Sequence, residues 1–230
     1  RYEKKIFDSV YLGGGTPSHL SAQQFQNLFS CIQKKFFITP DAEITVEMNP
    51  EDVTTDRLKC YRDCGVNRLS LGVQTFCDSF LNFLGRNHNG PQALSAYEQI
   101  RQQGFRHANI DLMYGFPHQT IDQIDSDLRV LEGLGCDHVS LYSLTIERGS
   151  KFFLQNLSVP DSETMAQQYL HVRQRLLDAG FEHYEVSNFA RPGMRSTHNL
   201  HYWQGGNYIG LGVGAHSHQD GRRWWNGARV

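Results

Sequence analysis

The segment YLGGGTPSHL, residues 11–20, constrains the fold more than any other part of the sequence. An apolar run before it predicts a strand, and an amphipathic helical pattern begins after it. Three consecutive glycines let a backbone approach a ligand closely, with N–H groups free to bind a carboxylate or phosphate. Ser18 or Ser21 is suited to cap the following helix. A tight turn would explain one or two glycines, but three followed by Thr16 favour a small-molecule site.

Predicted strands and helices alternate along almost the whole chain. The predicted strands are 9–12, 44–48, 68–74, 108–113, 138–144, 184–187 and 208–213, and the predicted helices are 22–35, 55–64, 79–84, 91–103, 121–134 and 162–179. Strands such as RLSLGVQ and HVSLYSL look apolar on both faces, as buried parallel strands do. Repeated β–α units predict an α/β fold with a parallel sheet, either a barrel or a doubly wound open sheet.

Polar or glycine-rich residues follow almost every predicted strand, at the edge where both folds bind ligands. Glu47 in ITVEMNP and Asp111 in NIDLMYG are carboxylates within apolar strands. A buried carboxylate is costly without a partner, so each is a candidate for binding a ligand hydroxyl or amine. A hydrogen bond to a neighbouring loop explains either residue alone equally well. Taken singly, Arg86 in FLGRNHN is predicted to be a surface or salt-bridging residue, and His88 is predicted to lie at the surface.

Histidines and aromatic residues crowd the C-terminal part of the chain, in HNLHYW (198–203) and GAHSH (214–218). Histidines at these spacings can ligate zinc, but no cysteine is near and the flanking glycines predict loops. A flat hydrophobic ligand with an iron centre suits His with Tyr and Trp at least as well. Closure of the open end of a core is the competing explanation for Trp203, Trp224 and Trp225.

Composition excludes several classes of protein. The formal net charge is −2 and lysines and arginines are scattered, which argues against nucleic-acid binding. No apolar run approaches the roughly 20 residues of a membrane span, and no leader is visible, so we expect a cytoplasmic protein, or an organellar one with a targeting peptide upstream. Five cysteines are an odd set typical of a reducing compartment. Cys60 and Cys64 can begin an iron–sulfur ligand set, but Asn67 stands where a third cysteine is needed, so helix packing is favoured.

Seven motifs follow one another in the order and spacing of a known family. They are GGGTPS (13–18), EMNPE (47–51), NRLSLGVQTF (67–76), LGRNHN (84–89), DLMYGFP (111–117), YEVSNFARPG (184–193) and HNLHYW (198–203). Together they resemble the radical S-adenosylmethionine (SAM) superfamily, in the branch of oxygen-independent coproporphyrinogen III oxidase and its related haem chaperones. The likeness covers essentially the whole chain.

The resemblance implies a partial (β/α)6 TIM-like barrel over residues 1–190, without its first strand. Residues 191–230 are then the start of a C-terminal extension that carries the HNxxYW motif. In this family the strand edge holds a [4Fe–4S] cluster and S-adenosylmethionine, and a C-x3-C-x2-C motif before GGGTP binds the cluster. That motif is absent from the sequence, which begins at Arg1. We therefore expect a segment of a longer protein that holds no cluster by itself.

Cofactor-binding residues follow from the same resemblance. Gly14, Gly15 and Thr16 match the loop that contacts the methionine part of the cofactor, and Glu47 matches a partner of its polar groups. Three further residues match positions that line a second cofactor molecule in the oxidase branch: Gln74, Arg86 and Asp111. Thr145 matches a strand-end contact. For Arg86, this replaces the surface role expected from its local sequence. No catalytic residue and no metal ligand is assigned.

The resemblance implies two alternative functions for the full-length protein. One is a haem chaperone that delivers haem to haem-dependent apoproteins such as respiratory enzymes; the other is radical decarboxylation of coproporphyrinogen propionates in porphyrin biosynthesis. YEVSNFARPG and HNLHYW resemble the chaperones, so we predict a haem chaperone, with haem contacted by His198 and the site shaped by Asn199, Tyr202 and Trp203. A structural role for HNLHYW is the competing explanation. A cofactor-free sugar-phosphate barrel enzyme is a third reading, and the oligomeric state is left open, a dimer included.

Overall fold

A computed structural model describes residues 5–227 of the chain, so Arg1 lies outside the described residues. Its strands are β1 Ile6–Leu12, β2 Phe37–Met48, β3 Arg68–Gln74, β4 His107–Tyr114, β5 His138–Ser143, β6 Glu182–His183, β7 Asn188–Ala190, β8 His216–Gln219 and β9 Arg222–Trp225. Its helices are α1 Ala22–Lys35, α2 Thr55–Asp63, α3 Asp78–Leu84, α4 Gly90–Gln102, α5 Ile121–Gly133, α6 Lys151–Leu154, α7 Ser162–Asp178 and α8 Thr197–Trp203.

The main sheet has seven strands in the order β1-β2-β3-β4-β5-β7-β6. Strands β1 to β5 are parallel and lie in chain order, whereas β7 pairs antiparallel with both β5 and β6. A doubly wound sheet reverses its strand order at a switch point, and this sheet has no reversal among its parallel strands. The fold is therefore a curled, partial TIM-like barrel, which confirms the barrel alternative.

The two faces of the sheet differ in polarity. On β3, Leu69, Leu71 and Val73 belong to the hydrophobic core, which also contains side chains of α1, α2, α4, α5 and α7. Arg68 and Ser70 alternate with them and face the inside of the curled sheet, where Ser70 contacts Asp111 on β4. The expectation of strands apolar on both faces is therefore wrong. Five helices, α1, α2, α4, α5 and α7, cover the outer face, whereas the inner face is polar and is contacted by α8 on β1 and β2.

Most predicted elements are confirmed within a few residues, and the helix 22–35 and the strand 68–74 match the structure. Ser21 caps α1 in a capping box with Gln24, as predicted. Ser18 is buried instead and donates a hydrogen bond to Asp52 over 2.6 Å.

Two predictions near the C-terminus are wrong. The strand predicted at 184–187 is the connection between β6 and β7, and the strand predicted at 208–213 contains only one isolated bridge, between Tyr208 and His218. Gly212 in this segment has a positive φ angle, which a regular strand does not accommodate. HNLHYW, for which no element was predicted, lies within α8, whose first turn is capped by Ser196. Gly205 and Gly206 follow this short helix and do not interrupt it.

Within residues 5–227, no helix is long and apolar enough to cross a membrane. Cys60 is buried on α2 and Cys64 ends that helix, so both lie on the predicted helix.

Candidate functional site

A cleft of about 210 Å³ opens at the edge of the sheet where β1 to β4 end. It is lined by Gly15, Thr16, Pro17, Glu47, Met48, Asn49, Ser70, Gly72, Gln74, Arg86 and Asp111. Six of the predicted cofactor-binding residues are therefore brought together, although they are spread over almost 100 positions of sequence. Parallel strands that end at one edge explain this convergence.

The glycine loop after β1 holds the Glu47 side chain. The Gly14 N–H donates to Glu47 Oε2 over 3.1 Å, and the Tyr11 hydroxyl donates to Oε1 over 2.7 Å. A Cβ atom on Gly13 would lie 2.5 Å from Glu47 Cδ, so only glycine leaves room for this arrangement. Gly14 itself does not line the cleft, and its N–H is already hydrogen-bonded to the Glu47 carboxylate.

Asp111 forms the floor of the cleft on β4. Its carboxylate accepts hydrogen bonds from Asn109 Nδ2 over 2.7 Å and from Ser70 Oγ over 3.3 Å. Burial raises the pKa of Asp111 to about 6; the Asn109 hydrogen bond opposes this rise, and the neighbouring Glu47 carboxylate adds to it. The cleft is therefore lined by two carboxyl groups, which favour a cationic ligand group.

Within residues 5–227, Arg86 is the one lysine or arginine that lines the cleft. Its Nη1 donates to Asn49 Oδ1 over 3.3 Å, and none of the described carboxylates lies within ion-pair distance of its guanidinium. His88, predicted at the surface, is buried: Nδ1 contacts Glu51 Oε2 at 3.0 Å and Nε2 contacts the Val73 carbonyl at 3.2 Å. The surface prediction for His88 is therefore wrong. Its ring connects the loop after α3, which contains Arg86, to Val73 on β3.

Gln74 lies at the end of β3 with a φ angle of 69°, a conformation that side chains other than glycine adopt at a cost. The following loop is anchored by Asp127 on α5, which accepts from the Thr75 hydroxyl over 2.6 Å and from the Phe76 N–H over 2.9 Å. Burial raises the pKa of Asp127 to about 6. The anchored loop holds the strained backbone that directs Gln74 into the cleft.

Thr145 lies apart from the other predicted cofactor residues. It follows β5, is exposed and does not line the cleft. Its hydroxyl contacts the Ser143 carbonyl at 3.5 Å.

A buried polar network behind the cleft was missed by the sequence reasoning. Asn109 Nδ2 donates to Ser70 as well as to Asp111, so its Oδ1 accepts from His138 Nδ1 over 2.6 Å. His138 Nε2 then accepts from the Tyr184 hydroxyl over 2.7 Å. Burial holds the pKa of His138 well below its usual range, so the ring is neutral. The alternation of polar residues in RLSLGVQ, HANIDLMY and HVSLYS is the signal that identifies this inner face.

The residues predicted to contact haem lie on or beside α8, near the opposite, N-terminal part of β1. His198 Nδ1 contacts Ser9 Oγ at 3.1 Å, and Nε2 contacts the Tyr202 hydroxyl at 3.1 Å. Burial lowers the pKa of His198 to about 4. Tyr202 and Trp203 expose 48% and 58% of their surface, so the histidine points inward while the two large rings face solvent. The Ser196 N–H at the start of α8 donates to the Tyr184 hydroxyl over 3.4 Å, which ties α8 to the polar network.

The five cysteines do not converge. They lie on α1, on and at the end of α2, before α3 and before β5, and all are free. In the part of the chain that the structure describes, no group of three or more His, Cys, Asp or Glu side chains is arranged to hold a metal ion. The residues present therefore do not fit a [4Fe–4S] cluster.

Comparison with known proteins gives a consistent result. The family model of the radical SAM superfamily matches residues 1–131. The chain is 38% identical over 229 residues to the haem chaperone HemW of Lactococcus lactis, covering 98% of this chain and 60% of that protein. It is 41% identical over 213 residues to the mouse mitochondrial radical S-adenosyl methionine domain-containing protein 1, covering 91% of this chain and 48% of that protein.

Among solved structures, coproporphyrinogen III oxidase (HemN) of Escherichia coli matches with a TM-score of 0.85 and 24% sequence identity. That match covers 98% of this chain and 55% of the enzyme, and at this identity it shows the fold alone. The chain spans about 60% of the length of the bacterial relatives.

Proposed function

Because the chain belongs to the radical SAM superfamily, we propose that residues 1–190 form the S-adenosylmethionine-binding barrel of a haem chaperone. The full-length protein binds haem and delivers it to haem-dependent apoproteins, respiratory proteins among them. Residues 191–230 begin the extension that carries the haem contact. The support is 38–40% identity to several proteins named haem chaperone HemW.

One observation carries the cofactor assignment: the cleft combines an arginine without an ion-pair partner among the described residues with two carboxylates. S-adenosylmethionine, when bound, supplies a sulfonium beside a zwitterionic methionine end. In the proposal, Arg86 with the Gly15 and Thr16 loop binds the carboxylate, since guanidinium and backbone N–H groups donate to anions. Glu47 and Asp111 accept from the ammonium. Gln74 adds a neutral side chain that both donates and accepts.

The [4Fe–4S] cluster is proposed to be bound by cysteines outside this sequence, since the five present do not converge. Thr145 is proposed as a peripheral contact at the same strand edge.

For haem, His198 has the protonation state that iron requires. With a pKa near 4 its ring is neutral at physiological pH, and neutral imidazole is the form that ligates metals. Both ring nitrogens are hydrogen-bonded, so the ring must leave Ser9 or Tyr202 to reach iron. Tyr202 and Trp203 offer exposed flat surfaces to a porphyrin, and Asn199, whose backbone N–H donates to the Ser196 hydroxyl, is proposed to shape the same site.

The test is an anaerobic haem titration of the full-length, cluster-reconstituted protein, followed by its Soret absorbance. We expect stoichiometric binding with a Kd of about 1 µM or tighter, weakened about tenfold by His198→Ala. His183→Ala, which removes another half-buried, hydrogen-bonded histidine, is the matched control and should leave the Kd unchanged. Equal weakening by both variants, or none by either, rejects the His198 site.

Absence of haem binding overturns the chaperone proposal itself. Turnover of coproporphyrinogen would then identify the protein as an oxygen-independent coproporphyrinogen III oxidase, the alternative that the motifs left open.

A further inference from the structure

Tyr11 on β1 contacts both proposed sites at once. Its hydroxyl donates to Glu47 Oε1 in the cleft over 2.7 Å. Its ring stacks on the imidazole of His198, with centroids 5.0 Å apart and planes inclined by 20°. One side chain thus spans the distance between the cleft and α8.

The cleft end of this connection has little room to adjust. Glu47 uses its second oxygen to accept the Gly14 N–H. A Cβ on Gly13 would lie 2.5 Å from Glu47 Cδ and 2.6 Å from Tyr11 Cε1. Any ligand that takes the Gly14 N–H or an oxygen of Glu47 therefore competes with contacts that hold Tyr11 in place.

The α8 end is held by several contacts to the same two strands. Ser9, two residues before Tyr11 on β1, contacts His198 Nδ1. Glu43 on β2 accepts the backbone N–H of Thr197 over 3.0 Å and of His198 over 2.9 Å. Because Glu43 keeps the start of α8 on the sheet, movement of the Tyr11 ring changes the environment of the His198 side chain and leaves the helix in place.

We propose that Tyr11 couples the two sites, so that a ligand bound in the cleft releases His198 from its stacked, hydrogen-bonded position and makes it available to haem iron. This inference rests on the proposed function and adds its regulation. When the ligand hydrogen-bonds to Glu47 and to the Gly14 N–H, the Tyr11 hydroxyl either loses its bond to Glu47 or moves together with that carboxylate. In both cases the Tyr11 ring moves away from the His198 imidazole. Burial raises the pKa of Tyr11, so its hydroxyl stays protonated and remains a donor throughout the physiological range.

Coupling of this kind is reciprocal: S-adenosylmethionine must tighten haem binding by the same factor by which haem tightens S-adenosylmethionine binding. We expect a factor of about five, at the lower end of typical coupling between sites. The factor is measured on the full-length, cluster-reconstituted protein under anaerobic conditions. Haem is titrated by Soret absorbance with and without saturating S-adenosylmethionine, and S-adenosylmethionine is titrated by calorimetry with and without haem.

Two variants test the contact between Tyr11 and Glu47, on which the coupling depends. Tyr11→Phe keeps the ring and removes the hydroxyl that Glu47 holds, so haem affinity without S-adenosylmethionine should rise towards the value of the saturated wild type and the coupling factor should fall to about one. Gly13→Ala pushes Glu47 and Tyr11 out of position, so it should raise haem affinity in the absence of S-adenosylmethionine towards the value of the saturated wild type. Tyr97→Phe is the matched control: it removes one buried hydroxyl that has no hydrogen-bond partner, on α4, and should preserve the wild-type factor.

The outcomes separate this inference from the proposed function. A wild-type factor of one or below, with both ligands still binding, overturns the coupling and leaves the proposed function standing. An unchanged factor in Tyr11→Phe overturns the role of Tyr11. Failure of the wild type to bind haem or S-adenosylmethionine overturns the proposed function, and the coupling with it. Circular dichroism of each variant verifies that it is folded.

Discussion

Nη1 of Arg86 donates to the Asn49 side-chain oxygen over 3.3 Å, and this amide is the one side chain within the described residues that we find hydrogen-bonded to the guanidinium. The two residues come from loops that follow α3 and β2, and His88 fastens the first of these loops to Glu51 in the second. A guanidinium held by a neutral amide keeps its charge available for a ligand anion, whereas one paired with a carboxylate does not.

Arg86→Gln should therefore weaken S-adenosylmethionine binding by about tenfold or more, since hydrogen bonds to charged groups contribute about 1.5–3 kcal/mol. Isothermal titration calorimetry of the full-length protein measures the change in Kd. Arg106→Gln, an exposed arginine before β4 and far from the cleft, serves as the control and should bind like the wild type. An unaltered Kd in Arg86→Gln would contradict the assignment of Arg86 to the cofactor carboxylate.

Asp111 should make the protein less stable as the pH rises. Its folded-state pKa, about 6, is above the ordinary aspartate value of 3.8, so the folded protein binds the proton more tightly than the unfolded chain. Unfolding free energy is therefore lost as the pH rises from about 4 to about 6 and stays lower above that range.

Asp111→Asn removes this loss, because the amide oxygen still accepts from Asn109 and Ser70. We expect the variant to exceed the wild type by about 2–3 kcal/mol of unfolding free energy at about pH 7.5, with the difference shrinking towards zero near pH 4. Urea denaturation across this pH range is the measurement. Exposed Asp41→Asn should show no comparable pH-dependent difference, and a gain in Asp111→Asn that did not depend on pH would argue against a raised pKa.

His138→Leu should lower the unfolding free energy by about 2–4 kcal/mol. It leaves two buried partners unsatisfied, the Asn109 amide oxygen and the Tyr184 hydroxyl, and each such group costs about 1–3 kcal/mol. His107→Leu changes an exposed histidine at the start of β4 and should cost far less. Equal losses of unfolding free energy in the two variants would show that the buried hydrogen bonds of His138 do not contribute to stability.

Gly90→Ala and Gly133→Ala should have opposite effects. A Cβ on Gly90, at the start of α4, would collide with the backbone carbonyl of Phe76, so we expect a loss of about 1–3 kcal/mol. Gly133, at the end of α5, is exposed, has open space around a Cβ and does not have a positive φ angle. Alanine there should stabilise the protein by about 0.4–1 kcal/mol by restricting the unfolded chain. Thermal denaturation of both variants provides the comparison, and a change of the same sign in both would refute it.

Local sequence patterns predicted much of the scaffold. Hydrophobic periodicity located the helix over 22–35 and the strand over 68–74, and Ser21 was one of the two capping candidates. Carboxylates at strand ends marked Glu47 and Asp111, because parallel strands place those ends at one edge. Local pattern failed for the seven-residue α8 and for the β8–β9 hairpin, where short elements between glycines carry too few periods to be distinguished from loops.

The alternation of strands and helices up to α7, and the edge of the sheet at which polar residues collect, were determined by the sequence itself, since both depend on the spacing of apolar and polar residues along the chain. Tertiary structure alone decided that Glu47 takes the Gly14 N–H, that His88 is buried, and that Tyr11 stacks on a histidine 187 positions away. Periodicity specifies which face of an element is apolar. It does not specify which polar groups meet on the inner face of a curled sheet, because strand register and the docking of α8 on β1 set those distances.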